Sequence, residues 1–355
     1  MKISRLKVQR FTAFEDAEFV FAPGVNVLIG ENGTGKSHVL KLLYTLSEAV
    51  RRQHRGEGLD GLGPLATADF VKEMLRGVFL PEEIGRLVRR APGRQAAEIS
   101  LAWTNGASLE VEVGPGNSIS TTLDGDFSGL QEAVFIPTRE MLSIYPGFTA
   151  AWLKRESEFD RTYFELSKQL GLKLLRGARD EPRRALLEPL EQAIHARVRQ
   201  ENGRFYLKYE DGGDIEAPLA AEGHRKLAML AYLIANGSLT ANGFLFWDEP
   251  EASINPSLAR TTGNVIFGLA RLGLQNFVTT HDYVLASEAS LQAGSDASAT
   301  SARFFALGRA QGHVGVAVET GERLTDLERN PILDAFVELN VRERTALASA
   351  SEDPR

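Results

Sequence analysis

Eight residues, Gly30-Glu31-Asn32-Gly33-Thr34-Gly35-Lys36-Ser37, have the types and spacing of a loop that wraps the phosphates of a nucleoside triphosphate, G-x-x-x-x-G-K-[ST]. Such a turn must aim several backbone N–H groups at one polyanion, so side chains are kept clear at Gly30, Gly33 and Gly35. Asn32, Thr34 and His38 fall in or beside the same cradle and complete the candidate binding set. Lys36 adds a mobile positive charge near the β- and γ-phosphates, and the Ser37 hydroxyl is placed to ligate Mg²⁺. ATP and Mg²⁺ are the expected ligands. Far along the chain Phe244-Leu245-Phe246-Trp247 runs into Asp248-Glu249. Acids at the carboxyl end of a buried strand stand where open parallel sheets bind ligands. Asp248 is placed to hold the Mg²⁺ shell and Glu249 to polarise an attacking water as general base.

The elements around these groups are the required ones. Val25, Val27, Leu28 and Ile29 read as a buried strand before the loop. Val39, Leu40, Leu42, Leu43 and Leu46 read as a helix whose N-terminus faces the phosphates. Lys2–Gln9 alternates as a half-exposed strand, Phe11-Thr12-Ala13-Phe14 turns, and Ala17, Phe19 and Phe21 alternate again before the Pro23-Gly24 turn. Alternation at Ile99, Leu101 and Trp103, then Leu109, Val111 and Val113, flanks Asn105-Gly106 and predicts a hairpin. Ala133–Ile136 is a buried strand stopped by Pro137. Helices are expected over roughly 150–171 and 183–199, and a second hairpin joins Phe205–Tyr209 to Ile215–Ala217. Leu227, Leu230, Ala231 and Ile234 share a helical face. A strand ends in Thr279-Thr280-His281, a helix follows Asp282, and two strands lie near 302–308 and 313–318. A last helix starts near Pro331, with the tail from Ala346 frayed.

Composition bounds the rest. In 355 residues the apolar and charged fractions, 43% and 25%, are those of an ordinary globular protein. No apolar run approaches a transmembrane span and no leader opens the chain, so no membrane partner is expected. Without cysteine there is no thiolate metal site or Cys nucleophile, and a reducing cytoplasm fits. The formal charge of −7 argues against a uniformly basic nucleic-acid coat. Two arginine groups stand out locally: Arg51-Arg52 with Arg55, and Arg86, Arg89, Arg90 and Arg94 on a helix expected to end near Ala91-Pro92-Gly93. They are either a track for a phosphate backbone or solvated helix faces.

In order, these motifs resemble the ABC-type ATPase heads of the SMC, RecF and OLD families, and in particular the AAA-15/AAA-21 group of prokaryotic OLD- and RecF-like ATPases. The resemblance implies an α/β fold of the P-loop, ABC-ATPase type with an N-terminal antiparallel β element and an inserted, mainly helical lobe. The head would comprise 1–50 and 201–320 with the strand at 133–136. Residues 51–132 would be an insertion with the β-hairpin, 137–200 the helical lobe, and 321–355 a C-terminal helix and tail. Leu219–Lys226 has the place of the signature segment, whose glycine, here Gly223, would touch the γ-phosphate held by an opposite subunit. Ala221 and Glu222 depart from the usual Ser and Gly. Ala252–Pro256 would be the D-loop, with Ser253 or Asn255 at a dimer seam, and His281 the switch histidine that contacts the γ-phosphate. The lid loop at Pro137–Glu140 lacks its usual Gln, so either Glu140 or another group fills that role or the loop works differently here, and no residue is assigned. Phe11 or Phe14 would stack on adenine or pack in the core. The implied partners are a second copy of the chain on ATP binding, a separate effector protein and, optionally, DNA. No nuclease domain of the TOPRIM kind is expected after residue 318.

Overall fold

The computed structural model describes residues 1–59, 63, 65–90, 95–154, 157–176, 180–239, 241–295, 300–309 and 314–351. The first half of the chain forms β1 (Ile3–Phe11), β2 (Phe14–Val20), β3 (Val25–Gly30), α1 (Lys36–His54), α2 (Thr67–Phe79), β4 (Ala97–Trp103), β5 (Ser108–Val113), β6 (Ile119–Asp124), β7 (Ala133–Ile136), α3 (Phe148–Leu153) and α4 (Arg161–Leu170). The second half forms α5 (Glu181–Ile194), β8 (Ala196–Glu201), β9 (Arg204–Tyr209), β10 (Asp214–Glu216), α6 (Glu222–Ala235), β11 (Phe244–Asp248), α7 (Ala259–Arg271), β12 (Gln275–Thr280), α8 (Tyr283–Ser295), β13 (Ala302–Arg309), β14 (Val316–Gly321) and α9 (Pro331–Ser351).

The central sheet has the order β14-β13-β3-β12-β11-β7 and is parallel except for β14. The strands β3, β12, β11 and β7 are buried along their whole length, and β11 and β7 accordingly read as apolar runs and not as alternation. Because β12 lies between β3 and β11, the glycine-rich loop at 30–37, His281 and the Asp248-Glu249 pair all leave the same edge of the sheet. One core lies on each face, with α1 and the antiparallel sheet on one side and α4, α5, α6 and α7 on the other. Among the described residues no helix is long and apolar enough to cross a membrane.

The second sheet, β2-β1-β4-β5-β6, is antiparallel throughout. Residues 51–132, expected as an insertion, thus supply three of its strands: β4 pairs with β1 from Ile3↔Trp103 to Gln9↔Glu98. A boundary at residue 50 cuts through one sheet. The helix expected over 150–171 is two helices, because Asp160 caps a new start by accepting from the Thr162 N–H. The helix expected over 183–199 stops at His195, whose φ of 51° ends it, and β8 follows as the first strand of a small β10-β9-β8 sheet. The second arginine group is not on a helix: α2 ends at Phe79, only Ile84–Leu87 forms a short 3₁₀ turn, and Arg94 lies outside the described residues.

A candidate nucleotide-hydrolysis site

The phosphate loop joins the end of β3 to the first turn of α1. Gly33 and Gly35 take φ of 77° and 91°, a backbone that L side chains resist. Gly35 is also spatially fixed, since a Cβ there would lie 2.9 Å from the Phe14 ring. Phe14 and Phe11 are each 1% exposed, so both are core residues bracing the loop from below, and neither is free to stack on a base. Gly35 caps α1 without a side-chain acceptor and the first turn carries no acid, which leaves the helix N–H groups open to an anion. Thr34 donates to the Glu31 carbonyl at 2.8 Å, bracing the turn, while Asn32 and Gly33 are exposed. His38 is exposed, and its ring packs 5.6 Å from that of Phe79 in α2.

Lys36 is only 5% exposed and folds back over the loop, donating to the carbonyls of Gly30 at 2.6 Å and Glu31 at 3.0 Å. Burial lowers its pKa from the ordinary lysine value, against the pull of Glu249, Asp248, Glu251 and Glu31. A polyphosphate in the loop offers the ammonium better acceptors than these carbonyls.

Opposite the loop, Ser37 donates to Asp248 Oδ1 at 2.9 Å, and Thr279 donates to the same oxygen at 2.5 Å. Hydroxyl and carboxylate are the hard oxygen donors that Mg²⁺ takes, with water and phosphate oxygens completing an octahedron. The residues present therefore fit that ion. Among the described residues no cluster of three or more His, Cys, Asp or Glu could hold a metal unaided. Burial raises the Asp248 pKa, opposed by the hydrogen bonds from Thr279 and Ser37.

Glu249 has a left-handed φ of 50° directly before Pro250, a costly conformation for a non-glycine residue. Two contacts pin it. Its N–H donates to Thr279 Oγ1 at 3.0 Å, and its carbonyl accepts from the Lys226 ammonium at 3.0 Å. Lys226 also donates to the Ala252 carbonyl at 3.0 Å, and burial lowers its pKa to about 8. Neither Lys226 nor Thr279 was singled out by motif. The available signal for Lys226 is a charge in register with Leu230 and Leu233 on the buried face of α6. His281 Nδ1 lies 3.3 Å from Glu249 Oε1, with the side chain 47% exposed.

Gly223 sits in the first turn of α6 against its own D-loop: a Cβ there would be 2.6 Å from the Ser253 carbonyl oxygen. Ser253 has φ 65°, while Asn255 is spent locally, accepting from the Ser257 N–H. Glu140 is engaged within the fold. It is 1% exposed, and its carboxylate accepts from Arg225 Nε at 2.7 Å and from the Ser143 hydroxyl, tying the lid segment to α6.

The arginine groups also resolve. Arg51 and Arg52 are buried and bound to Glu48, Glu57 and Glu165. Arg86 pairs with Glu82, and Arg89 with Glu15 and the Ala13 carbonyl. Arg51, Arg52, Arg86 and Arg89 are thus engaged by acids, while Arg55 is exposed and donates to the Leu130 carbonyl at 3.3 Å.

Comparison with known proteins adds a lineage to this geometry. Residues 1–85 match the family described as "AAA ATPase domain", and residues 118–287 match "AAA domain, putative AbiEii toxin, Type IV TA system". The phosphate loop falls in the first match; Gly223, Asp248, Glu249 and His281 fall in the second. A protein of Limosilactobacillus fermentum named DNA replication and repair protein RecF is 31% identical over 111 residues, 31% of this chain and 26% of that one. The protein of the same name from Ligilactobacillus salivarius is 42% identical over 55 residues, 16% and 14% of the two chains. The matched stretches thus span about a quarter or less of these relatives. Among solved structures, an SMC head bound to the C-terminal winged-helix domain of ScpA superposes with a TM-score of 0.54 at 15% identity, covering 92% of this chain and all of that one. An Smc head with extended coiled coil, bound to a ScpA domain derived from Pyrococcus furiosus, gives 0.50 at 13% identity, covering 97% and 99%. Those structures share the fold and the two family matches contain the motifs, so the chain is similar to ABC-type P-loop ATPases of the RecF- and SMC-like group.

Proposed function

We propose that the protein is a cytoplasmic, Mg²⁺-dependent ATP hydrolase that works as an ATP-gated homodimeric switch in DNA maintenance or anti-phage defence and controls a separate effector such as a nuclease. The observation that carries the reading is the 2.9 Å contact between Ser37 and Asp248, with Glu249 and His281 beside it. The loop N–H groups and Lys36 bind and orient the phosphates. Ser37 and Asp248 would hold Mg²⁺, whose bound charge neutralises the developing phosphate oxyanions. Glu249 takes a proton from water aligned with the γ-phosphate, and His281 steadies the transferred group. Gly223 and Ser253, packed together here, would face the nucleotide of the second copy, so that hydrolysis reopens the pair.

A second reading has an observation in its favour: a regulatory scaffold whose ATP state sequesters a toxin or nuclease partner without touching DNA. Arg51, Arg52, Arg86 and Arg89, four of the arginines that motivate DNA contact, are paired with carboxylates, and one family description names a toxin–antitoxin system. ATP turnover by the purified protein with and without duplex DNA decides between them, with Lys36→Ala as the blank. Stimulation that fades with added salt supports DNA sensing through phosphate contacts. Turnover indifferent to DNA supports the scaffold, and turnover equal to the blank removes both.

A further inference from the structure

Glu251 lies one residue beyond the acid-Pro motif and has no part in the mechanism above, yet its carboxylate is the most heavily used in the site. Its Oε1 accepts from the Thr280 hydroxyl at 2.7 Å and from the His281 backbone N–H at 2.9 Å, and lies 3.4 Å from His281 Nδ1. The side chain is 11% exposed, and Oε2 is buried without a hydrogen-bond partner among the described residues. A carboxylate placed there has a desolvation cost that its contacts to the end of β12 help to offset. The same residue opens the D-loop, whose Ser253 carries the left-handed φ and backs onto Gly223. Its Asp282 neighbour is engaged elsewhere, accepting from the Leu285 N–H to start α8.

We propose that Glu251 is the positioning residue of the switch histidine. Resting on the hydrolytic reading above, it holds the His281 backbone at the sheet edge and presents a second acceptor to Nδ1. The imidazole is thereby kept in the Nδ1–H form, with Nε2 left to face the substrate. An Nδ1 without a proton would set a lone pair against two carboxylate oxygens at 3.3 and 3.4 Å, Glu249 on one side and Glu251 on the other. Because Glu251 belongs to the D-loop, a displacement of that loop by a second copy is passed directly to the histidine.

The test compares Glu251→Ala and Glu251→Gln in the full-length protein, each also in a His281→Ala background. Glu251→Ala is expected to lower kcat by about ten-fold with little change in ATP affinity. The Gln variant, whose amide oxygen still accepts from Thr280 and His281, should recover most of that loss. In the His281→Ala background the Glu251 substitution should add nothing, the mark of two residues acting as a unit. Losses that multiply across the two sites, or wild-type turnover in Glu251→Ala, would overturn the proposal. Long-range ¹H–¹⁵N spectra of the nucleotide-free protein, with the His281 signal identified by its absence in His281→Ala, provide a readout independent of turnover. A protonated Nδ1 in wild type that is lost in Glu251→Ala supports the link; an unchanged tautomer refutes it. Should the wild type show no turnover, the hydrolytic reading fails, while the spectra still decide whether Glu251 sets the histidine.

Discussion

The two ends of α1 carry charged clusters of opposite design. At its C-terminal end Glu48 accepts from Arg51, Arg52 and the Ala133 N–H, and Arg52 makes a two-pronged contact with Glu165 of α4 at 3.0 and 2.7 Å. Arg161 and Lys168 also reach Glu165. Acid and base alternate there. At the N-terminal end Asp248, Glu249 and Glu251 crowd together, while both nearby ammonium groups, Lys36 and Lys226, are turned to backbone carbonyls. One cluster is satisfied within the fold, and the other keeps its charge for something the fold does not contain. A closed ionic network fastens elements; an open one, built on strained backbone at Glu249, is where cation and phosphate chemistry fits.

The contrast predicts different damage from equally small changes. Glu249→Gln should lower ATP turnover by about two to three orders of magnitude while ATP binding survives, with dimer accumulating in sizing experiments. A variant that stays monomeric at saturating ATP would break the dimer half of the proposal. Glu165→Ala should leave buried arginine charge unpaired and destabilise the fold by about 3–5 kcal/mol, read from denaturant midpoints. Acid should act on the same cluster. Burial pushes Glu165 up, but Arg52, Arg161 and Lys168 outweigh it and bring its pKa down to about 2 from the ordinary 4.5. A depressed carboxylate contributes stability that is complete above pH 4.5 and is lost as pH falls through 2. Titration of stability over that window should therefore show a limb of about 3 kcal/mol that Glu165→Gln flattens. Smallest of all, Arg86→Ala should shift stability by less than about 1 kcal/mol, since its pair with Glu82 is solvent-exposed, and should leave ATP turnover unchanged. Loss of DNA binding in that variant would restore the phosphate-track reading of the arginines.

What was legible in the sequence follows the range of the interactions. The phosphate loop, the strand into Asp248 and the turn to His281 are local patterns, and the structure brings all three to one sheet edge. Glu48 and Glu57 are local partners that helical spacing could offer to Arg51 and Arg52, but the second partner of Arg52, Glu165, stands 113 residues away and no local pattern points to it. The pairing of β1 with β4 is equally non-local, and without it residues 51–132 look like an insertion. Two misread boundaries had local signals that apolar periodicity masked. Asp160 stood ready as a helix cap, and the alternation from Ala196 onward marked a strand after His195. At Glu140 the sequence left the matter open, because a lone acid after Pro137 does not reveal that Arg225 of α6 will pair with it.

The fastening of α1 has a mechanical consequence. Besides the Arg52–Glu165 contact, Lys41 near its start donates at 2.6 Å to Asp160, the residue that caps α4. Riveted at two points along its length, α4 must travel with the loop helix as a single girder. Helix α6 is coupled to the same girder, since Asn236 at its end donates to the Gln169 carbonyl of α4 at 2.9 Å and the Tyr232 hydroxyl to the Leu172 carbonyl at 3.0 Å. With Lys226 and Arg225 at its other end, α6 links that girder to the acidic sheet edge.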